Sequence, residues 1–135
     1  MRNKFLAVFA LLTLPVFANG TLFSKYETVR QALLKQKLAD VQSSAKALAE
    51  EAKKAENVEV LKTAEAVSAT KDLKAARTAF ASLSNEMIKV RNATKGERPA
   101  IGFCPMVNKS WLQAKSQKVG NPYDPAMEVC GMIKE

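Results

Sequence analysis

The sequence predicts an all-α protein, a small up-and-down bundle of three to four helices followed by an ordered Cys/Met-containing loop and a short helix. Apolar residues recur at alternating intervals of three and four over residues 24–95, as in helices with one buried face. After Pro99 this repeat stops, and glycine, proline, aromatic residues and both cysteines become frequent. We therefore expect a single helical domain, residues 19–135, made of a bundle (24–95) and a C-terminal metal-loop segment (99–135).

Residues 1–18 have the composition of a secretory signal peptide. Two cations, Arg2 and Lys4, precede an uncharged apolar run, and small residues permit cleavage after Ala18 or, less favourably, after Gly20. The apolar run is shorter than the roughly 20 residues that a transmembrane helix needs. We expect the signal peptide to be removed, leaving a periplasmic or secreted protein without a transmembrane segment.

Charge and composition narrow the function classes. The chain has 21 Lys and Arg against 13 Asp and Glu, a formal net charge of +8. The cations are interleaved with acids, as in Glu50-Glu51-Ala52-Lys53-Lys54, so solvated helix faces are favoured over a nucleic-acid surface. Polyanion binding is a third hypothesis only. The chain has no histidine and no glycine-rich phosphate loop, so the sequence does not indicate an enzyme.

The first part of the bundle contains one helix or two. Ser24 and Glu27 have the spacing of a capping box, which predicts a helix start at Ser24. From Leu34 to Ala55 the three-and-four repeat is continuous, and neither glycine nor proline forces a break near residues 35–37. The sequence leaves open whether residues 24–55 form a single helix.

Two further helices are predicted. A short third helix extends from Val58 to about Ser68. Thr70 is the predicted N-cap of the longest helix, which should end near Gly96 because glycine readily adopts the left-handed conformation that ends helices. Met87 lies on the apolar face of this helix and is expected in the core. The apolar face contains Leu73, Ala76, Phe80, Leu83, Met87 and Val90.

The C-terminal segment holds both cysteines and three of the five methionines. Thiolate and thioether sulfur prefer Cu(I) or Ag(I) to harder cations. Asp124-Pro125 predicts the start of a short helix in which Met127 and Cys130, three residues apart, share a face. The predicted metal ligands are Cys104, Met106, Met127 and Cys130. Three aromatic residues, Phe103, Trp111 and Tyr123, are expected to attach the segment to the bundle. Met132 is expected to pack into the fold.

A disulfide between Cys104 and Cys130 is the main alternative. An exported compartment permits it, and closing this loop would stabilise the fold by about 3.5 kcal/mol in the chain-entropy model. A disulfide alone does not explain the neighbouring methionines, although methionine also fills gaps in packed loops. The residues by themselves favour neither explanation. The two states could also alternate, with reduction opening the site.

Several short motifs in this segment resemble the signature of a known family. They are Phe103-Cys104-Pro105-Met106, Trp111-Leu112-Gln113, Asn121-Pro122-Tyr123, and Met127 with Cys130-Gly131. The family consists of exported helical domains of unassigned function, found alone or fused to periplasmic adaptor subunits of copper/silver efflux systems. The helical body is similar as well, for example at Tyr26 and from Asp72 to Arg77. Two departures alter the predicted loop: the stretch from Met106 to Trp111 is short, and Asp124-Pro125 replaces an aromatic-glycine pair.

The resemblance implies periplasmic heavy-metal handling, with Cys104, Met106, Met127 and Cys130 as sulfur ligands. It also implies an efflux adaptor or another metallochaperone as partner. The favoured function is therefore an exported, non-enzymatic protein that binds Cu(I) or Ag(I) and buffers the ion or hands it over. The alternative is a disulfide-stapled helical interaction module with no metal.

Overall fold

The computed structural model describes residues 18–135, which form four α-helices and then a small antiparallel sheet. The predicted signal peptide lies outside the described residues, apart from Ala18 at the start of the first helix. The helices are α1 (Ala18–Leu34), α2 (Leu38–Lys54), α3 (Val58–Ser68) and α4 (Leu73–Ala93). The strands are β1 (Ala100–Cys104), β2 (Lys109–Gln113) and β3 (Met132–Lys134), with a 3-10 helix at Pro125–Met127.

The break between α1 and α2 occurs without glycine or proline. Gln36 adopts the left-handed conformation, with φ 55°. Its N–H donates to the Leu33 carbonyl at 3.0 Å, and the Lys37 N–H donates to the Ala32 carbonyl at 3.1 Å, the two bonds of a Schellman ending. The turn between α2 and α3 repeats this arrangement, with Glu56 at φ 56°. Because glycine usually occupies this position, the sequence did not reveal the first break.

The predicted capping box at Ser24 is wrong. Helix α1 begins at Ala18, so Ser24 lies inside it, where its backbone carbonyl accepts a hydrogen bond from the Thr28 hydroxyl. The Glu27 carboxylate binds the Arg30 guanidinium at 2.8 Å instead of reaching back to a helix start. Glu27 therefore forms an ion pair within α1 and does not cap a helix start.

The predictions for α3 and α4 are confirmed in extent, with one wrong cap. Helix α3 covers Val58–Ser68 as predicted. The N-cap of α4 is Asp72, whose carboxylate accepts from the Ala75 N–H at 2.8 Å, and not Thr70. A carboxylate also interacts favourably with the positive end of the helix dipole. Helix α4 ends at Ala93, slightly before the predicted end.

The bundle core is apolar and continuous, as the helical repeat predicts. Consecutive helices pack on one another, α1 also contacts α4, and Met87 is fully buried as expected. The Tyr26 ring of α1 stacks on the Phe80 ring of α4, with centroids 4.9 Å apart. The buried apolar residues that α2 and α4 contribute to the core are Val41, Ala45, Leu48, Ala49, Ala52, Ala76, Phe80, Leu83 and Met87.

The C-terminal segment is not a loop but a three-stranded antiparallel sheet in the order β2-β1-β3, so the prediction of an all-α fold is wrong here. Strand β1 pairs with β2 through a tight turn, and with β3, whose Met132 lies opposite Phe103. The strands are only three to five residues long, too short for a clear alternation. Gly102 also interrupts the apolar pattern of β1. Glycine is needed at this position because a Cβ there would lie 2.2 Å from Cε2 of Trp111.

Two polar side chains of α1 attach the sheet to the bundle. The buried Tyr26 hydroxyl accepts a hydrogen bond from the Leu112 N–H at 3.1 Å and lies 2.7 Å from Ser84 Oγ. The buried Arg30 donates to the Gly120 carbonyl at 2.7 Å and to Gln117 Oε1 at 2.8 Å. The C-terminal segment is therefore docked by specific hydrogen bonds as well as by apolar contact.

Candidate metal centre

The two cysteines meet at one end of the sheet and form a disulfide, with Cα atoms 5.7 Å apart. Cys104 is the last residue of β1 and is fully buried, whereas Cys130 lies just before β3 and is half-buried. Pairing of Phe103 with Met132 brings the two chain segments together. The convergence predicted for Cys104 and Cys130 is therefore present, and the disulfide that the sequence left as an alternative is formed.

The two predicted methionine ligands lie close in sequence to these sulfurs but differ in exposure. Met106 is in the turn after β1 and is 72% exposed. In that turn the Asn108 N–H donates to the Cys104 carbonyl at 2.8 Å, and Asn108 has φ 53°. Met127 ends the 3-10 helix and is half-buried. Because a side chain as exposed as Met106 fills no gap, the packing explanation does not apply to it.

The 3-10 helix is shorter than the predicted helix, but its start is confirmed. Asp124 is the N-cap, with its carboxylate accepting from the Ala126 N–H at 2.9 Å, and Pro125 follows. The Cys130 N–H donates to the Met127 carbonyl at 2.8 Å, so a tight turn continues to the cysteine. A backbone hydrogen bond therefore joins Met127 to Cys130, although the two residues do not share a regular helix.

More apolar surface is exposed around the disulfide. Val129 is 84% exposed and Met132 is 54% exposed. The prediction that Met132 packs into the fold is therefore wrong, since it lies on edge strand β3 with its side chain largely in solvent. Met106 lies two residues after Cys104, and Val129 and Met132 lie within two residues of Cys130 along the chain. We call Cys104, Met106, Met127 and Cys130 the sulfur site, and Met106, Val129 and Met132 the exposed patch.

Trp111 is fully buried in the hydrophobic core, as predicted for an aromatic anchor of the C-terminal segment. Its indole N–H donates to Gln113 Oε1 at 2.8 Å, and both side chains are buried. The same oxygen accepts from the Gly120 N–H at 3.2 Å. Gly131 lies against the indole and has φ 154°; a Cβ there would lie 2.7 Å from Cη2 of Trp111. Only glycine fits both the conformation and the space beside Cys130.

The other two predicted aromatic anchors differ from each other. Tyr123 is buried, and its hydroxyl donates to the Ser110 carbonyl. Burial raises the pKa of Tyr123 well above its ordinary value, so this hydroxyl stays neutral. Phe103 is only half-buried. The Lys109 ammonium lies 5.4 Å from the Tyr123 ring centroid and the Lys134 ammonium 5.9 Å from that of Phe103. These cations flank the site on aromatic faces.

The donor set of the sulfur site is unusual for a metal centre. Within residues 18–135, no group of three or more His, Cys, Asp or Glu side chains is placed to hold a metal ion. The predicted site depends on thioether sulfur from Met106 and Met127 in addition to two thiols. Such a set matches a soft monovalent cation, and it becomes available only when the disulfide is reduced.

A separate groove of about 500 Å³ lies between α1 and the end of β2, and its lining includes neither cysteine. Phe23, Tyr26 and Leu112 supply apolar surface, and the charged side chains on its wall are two acids and two bases. The groove therefore has no single sign of charge. The charged residues are Glu27, Glu97, Arg98 and Lys115.

Sequence reasoning missed several polar residues that hold this end of the molecule together. Arg30 is buried and hydrogen-bonded across the junction between bundle and sheet, whereas Gln113 and Asn121 are buried and hydrogen-bonded within the C-terminal segment. In the sequence Gln113 and Asn121 stand out only as motif positions, and Arg30 has no signal of burial apart from the nearby Glu27. Because a charged residue on a helix is normally solvent-exposed, the sequence does not predict the burial of Arg30.

The family model for a protein of unknown function, DUF3347, matches residues 22–98, and the chain belongs to that family. The match covers the helical bundle and ends before β1, so it does not include the sulfur site. No curated protein and no solved structure matches the chain. Within residues 18–135 no helix is both long and apolar enough to cross a membrane.

Proposed function

We propose that this protein is an exported, non-enzymatic carrier of Cu(I) or Ag(I), which binds the ion at the sulfur site when the Cys104–Cys130 disulfide is reduced. The main support is the position of Met106, fully in solvent reach at 72% exposure and two residues from a buried disulfide sulfur. A methionine there contributes little to folding, and its thioether sulfur can serve as a third donor to a soft cation beside two thiols.

The disulfide is the closed state of the proposed site. An external dithiol opens it by thiol–disulfide exchange: its thiolate attacks one sulfur, the Cys104–Cys130 bond breaks, and the second thiol of the reductant completes the exchange. Two electrons and two protons pass to the protein, and the reductant becomes a disulfide. The freed thiols lose protons as they bind the cation, so binding strengthens as the pH rises.

The four sulfur residues differ in exposure. Cys104 is buried, Met127 and Cys130 are half-buried, and Met106 is exposed. The ion would then be held from the protein side by Cys104 and Met127, with Met106 the donor most accessible to a partner's sulfur. Transfer proceeds by exchange of one ligand at a time, and an efflux adaptor or another metallochaperone is the proposed recipient.

A Cu(I) competition titration with a colorimetric chelator, under reducing and anaerobic conditions, tests this proposal. The expected result is 1:1 binding that weakens at least about tenfold in a Met106→Leu/Met127→Leu variant, since two ligands are lost. The matched control is Met87→Leu, which makes the same chemical change in the core of α4 and should leave the affinity unchanged. Equal affinities in all three proteins would contradict a role for the thioethers.

The second candidate function is a disulfide-stapled interaction module with no metal. The observation in its favour is that the disulfide is formed next to the exposed patch, which offers flexible apolar side chains for contact with another protein. If the reduced protein fails to compete for Cu(I) and the exported protein has both thiols paired, this candidate is the better account of the same surface.

A further inference from the structure

A small cavity lies where α4, the end of α1 and the Asn121–Glu128 segment meet. Its volume is about 40 Å³, and Arg77 and Asn121 are among the residues that line it. This exceeds the roughly 10–15 Å³ that one water molecule needs but is far below the roughly 300 Å³ of the smallest organic ligand pockets. The cavity can therefore hold a water molecule or a small ion, and nothing larger.

Three nitrogen atoms around this cavity have no hydrogen-bond acceptor in the described part of the chain. They are Arg77 Nε, Arg77 Nη2 and Asn121 Nδ2, and all three are buried. Buried N–H groups almost always have an acceptor, because leaving one without a partner is costly. Three such donors on two side chains that line one cavity indicate that something accepts from them there.

The orientation of the Asn121 amide is fixed by its neighbours. Asn121 is 1% exposed, and its Oδ1 accepts a hydrogen bond from the Tyr123 N–H at 2.9 Å. Turning the amide over would place an NH₂ group against that N–H, so Nδ2 must remain the group without a partner. The Asn121 backbone N–H also donates to the Glu128 carbonyl at 2.8 Å, which holds this segment in place.

The charge at the cavity favours an anion over water. Arg77 forms no ion pair in residues 18–135, where the ion pairs are Arg30–Glu27 and Lys89–Glu86. Glu128 also lines the cavity but is exposed and does not pair with Arg77. A water molecule would satisfy the donors and leave the guanidinium charge without a partner, whereas a small anion satisfies both.

We propose that this cavity is a binding site for a small inorganic anion, with chloride as the ion that fits its size, held by Arg77 and Asn121. The site joins α4 to the segment that leads to Met127 and Cys130. Bound anion therefore stabilises the docking of the C-terminal segment on the bundle, independently of any metal.

Thermal unfolding of the oxidised, metal-free protein tests the site, with sodium chloride replaced by sodium gluconate at constant ionic strength. Gluconate is too large for the cavity. At a chloride concentration ten times the dissociation constant, the midpoint should rise by about 4 °C relative to gluconate. The rise should disappear in Arg77→Met and persist in Lys74→Met, which removes an exposed cation one turn earlier on α4.

A second variant keeps the test decisive if Arg77→Met does not fold. Asn121→Asp preserves the oxygen that accepts from Tyr123 but replaces the free N–H donor by a carboxylate, which should abolish the chloride effect. A wild-type midpoint that is the same in both salts would overturn the proposal, as would an undiminished effect in Arg77→Met. A chloride response seen only in Glu128→Gln would show that the Glu128 carboxylate fills the site instead.

Discussion

The helical bundle and the C-terminal segment are held together by different forces. The bundle buries a continuous apolar core contributed by repeating positions on four helices. The C-terminal segment has three short strands, one disulfide and a set of buried polar contacts to α1. The bundle is therefore stabilised by many interchangeable apolar contacts, whereas the C-terminal segment is stabilised by a few specific bonds, each of which a single substitution can remove.

Substitution in the core where the two regions meet should cost the most stability. Phe80→Ala removes the stacking with Tyr26 and the contact with Tyr123, whose ring centroid is 6.0 Å away. We expect a loss of about 3–5 kcal/mol in the free energy of unfolding, measured by denaturant titration with the disulfide intact. Unfolding of the sheet is monitored by Trp111 fluorescence. If the two regions were independent, the denaturant midpoint of this transition would not shift together with that of the helices.

The second effect concerns the disulfide. A Cys104→Ala/Cys130→Ala variant should lose about 3.5 kcal/mol, because the unfolded chain is no longer constrained by a loop with a sequence separation of 26. Because the global free energy of unfolding falls, hydrogen exchange should show reduced protection in α2 and α3, with a further reduction in β1 and β3 from opening of the C-terminal segment alone. A loss of protection confined to the helices would contradict the role of the disulfide in holding the C-terminal segment.

The third effect is on the hydrogen bond that joins α1 to β2. Tyr26→Phe leaves the buried Leu112 N–H without its acceptor and removes the contact with Ser84. The expected cost is about 1–3 kcal/mol. Ser84→Ala is the matched control, because it removes the Ser84 partner but leaves the Leu112 bond intact, and it should cost less. Equal costs for the two variants would mean that the Leu112 bond adds nothing.

The smallest effect is a pH dependence. Burial raises the pKa of both Tyr26 and Tyr123 above the ordinary value of 10.0, so the folded protein keeps these protons when the unfolded chain loses them. Stability is therefore fully present below pH 10 and falls above it, by roughly 1 kcal/mol per tyrosine at about pH 11. Denaturant titrations at pH 9 and pH 11 measure the fall, which should be shallower in Tyr26→Phe. An identical slope in that variant would contradict the burial argument.

The helical bundle could be predicted from sequence because its signals are local. The repeat from Leu73 to Val90 predicts α4, and the predicted short helix from Val58 to about Ser68 corresponds to α3. The errors in the bundle were at helix ends, where Gln36 and Glu56 adopt a conformation that glycine usually provides and where Asp72 competed with Thr70 as cap. The residues at which the helices begin and end depend on a few hydrogen bonds of the backbone, which the amino-acid composition does not indicate.

The C-terminal segment was harder to predict because its order comes from pairings between distant residues. Strand β3 pairs with β1 across about 30 residues, and no local alternation announces such a short strand. The proximity of Cys104 and Cys130 could be predicted, because a shared metal ion and a disulfide both require the two sulfurs to be close together. The buried donors of Arg77 and Asn121 could not be predicted, because burial of an arginine depends on what docks against its helix.

In the proposed function, the Cys104–Cys130 pair controls access to a soft-metal site. The most direct measurement is Cu(I) stoichiometry of the same preparation before and after disulfide reduction, under anaerobic conditions and with excess reductant removed. We predict no competitive binding by the oxidised protein and one Cu(I) for each reduced chain. Equal binding in both states, or no binding in either, would contradict control by the disulfide.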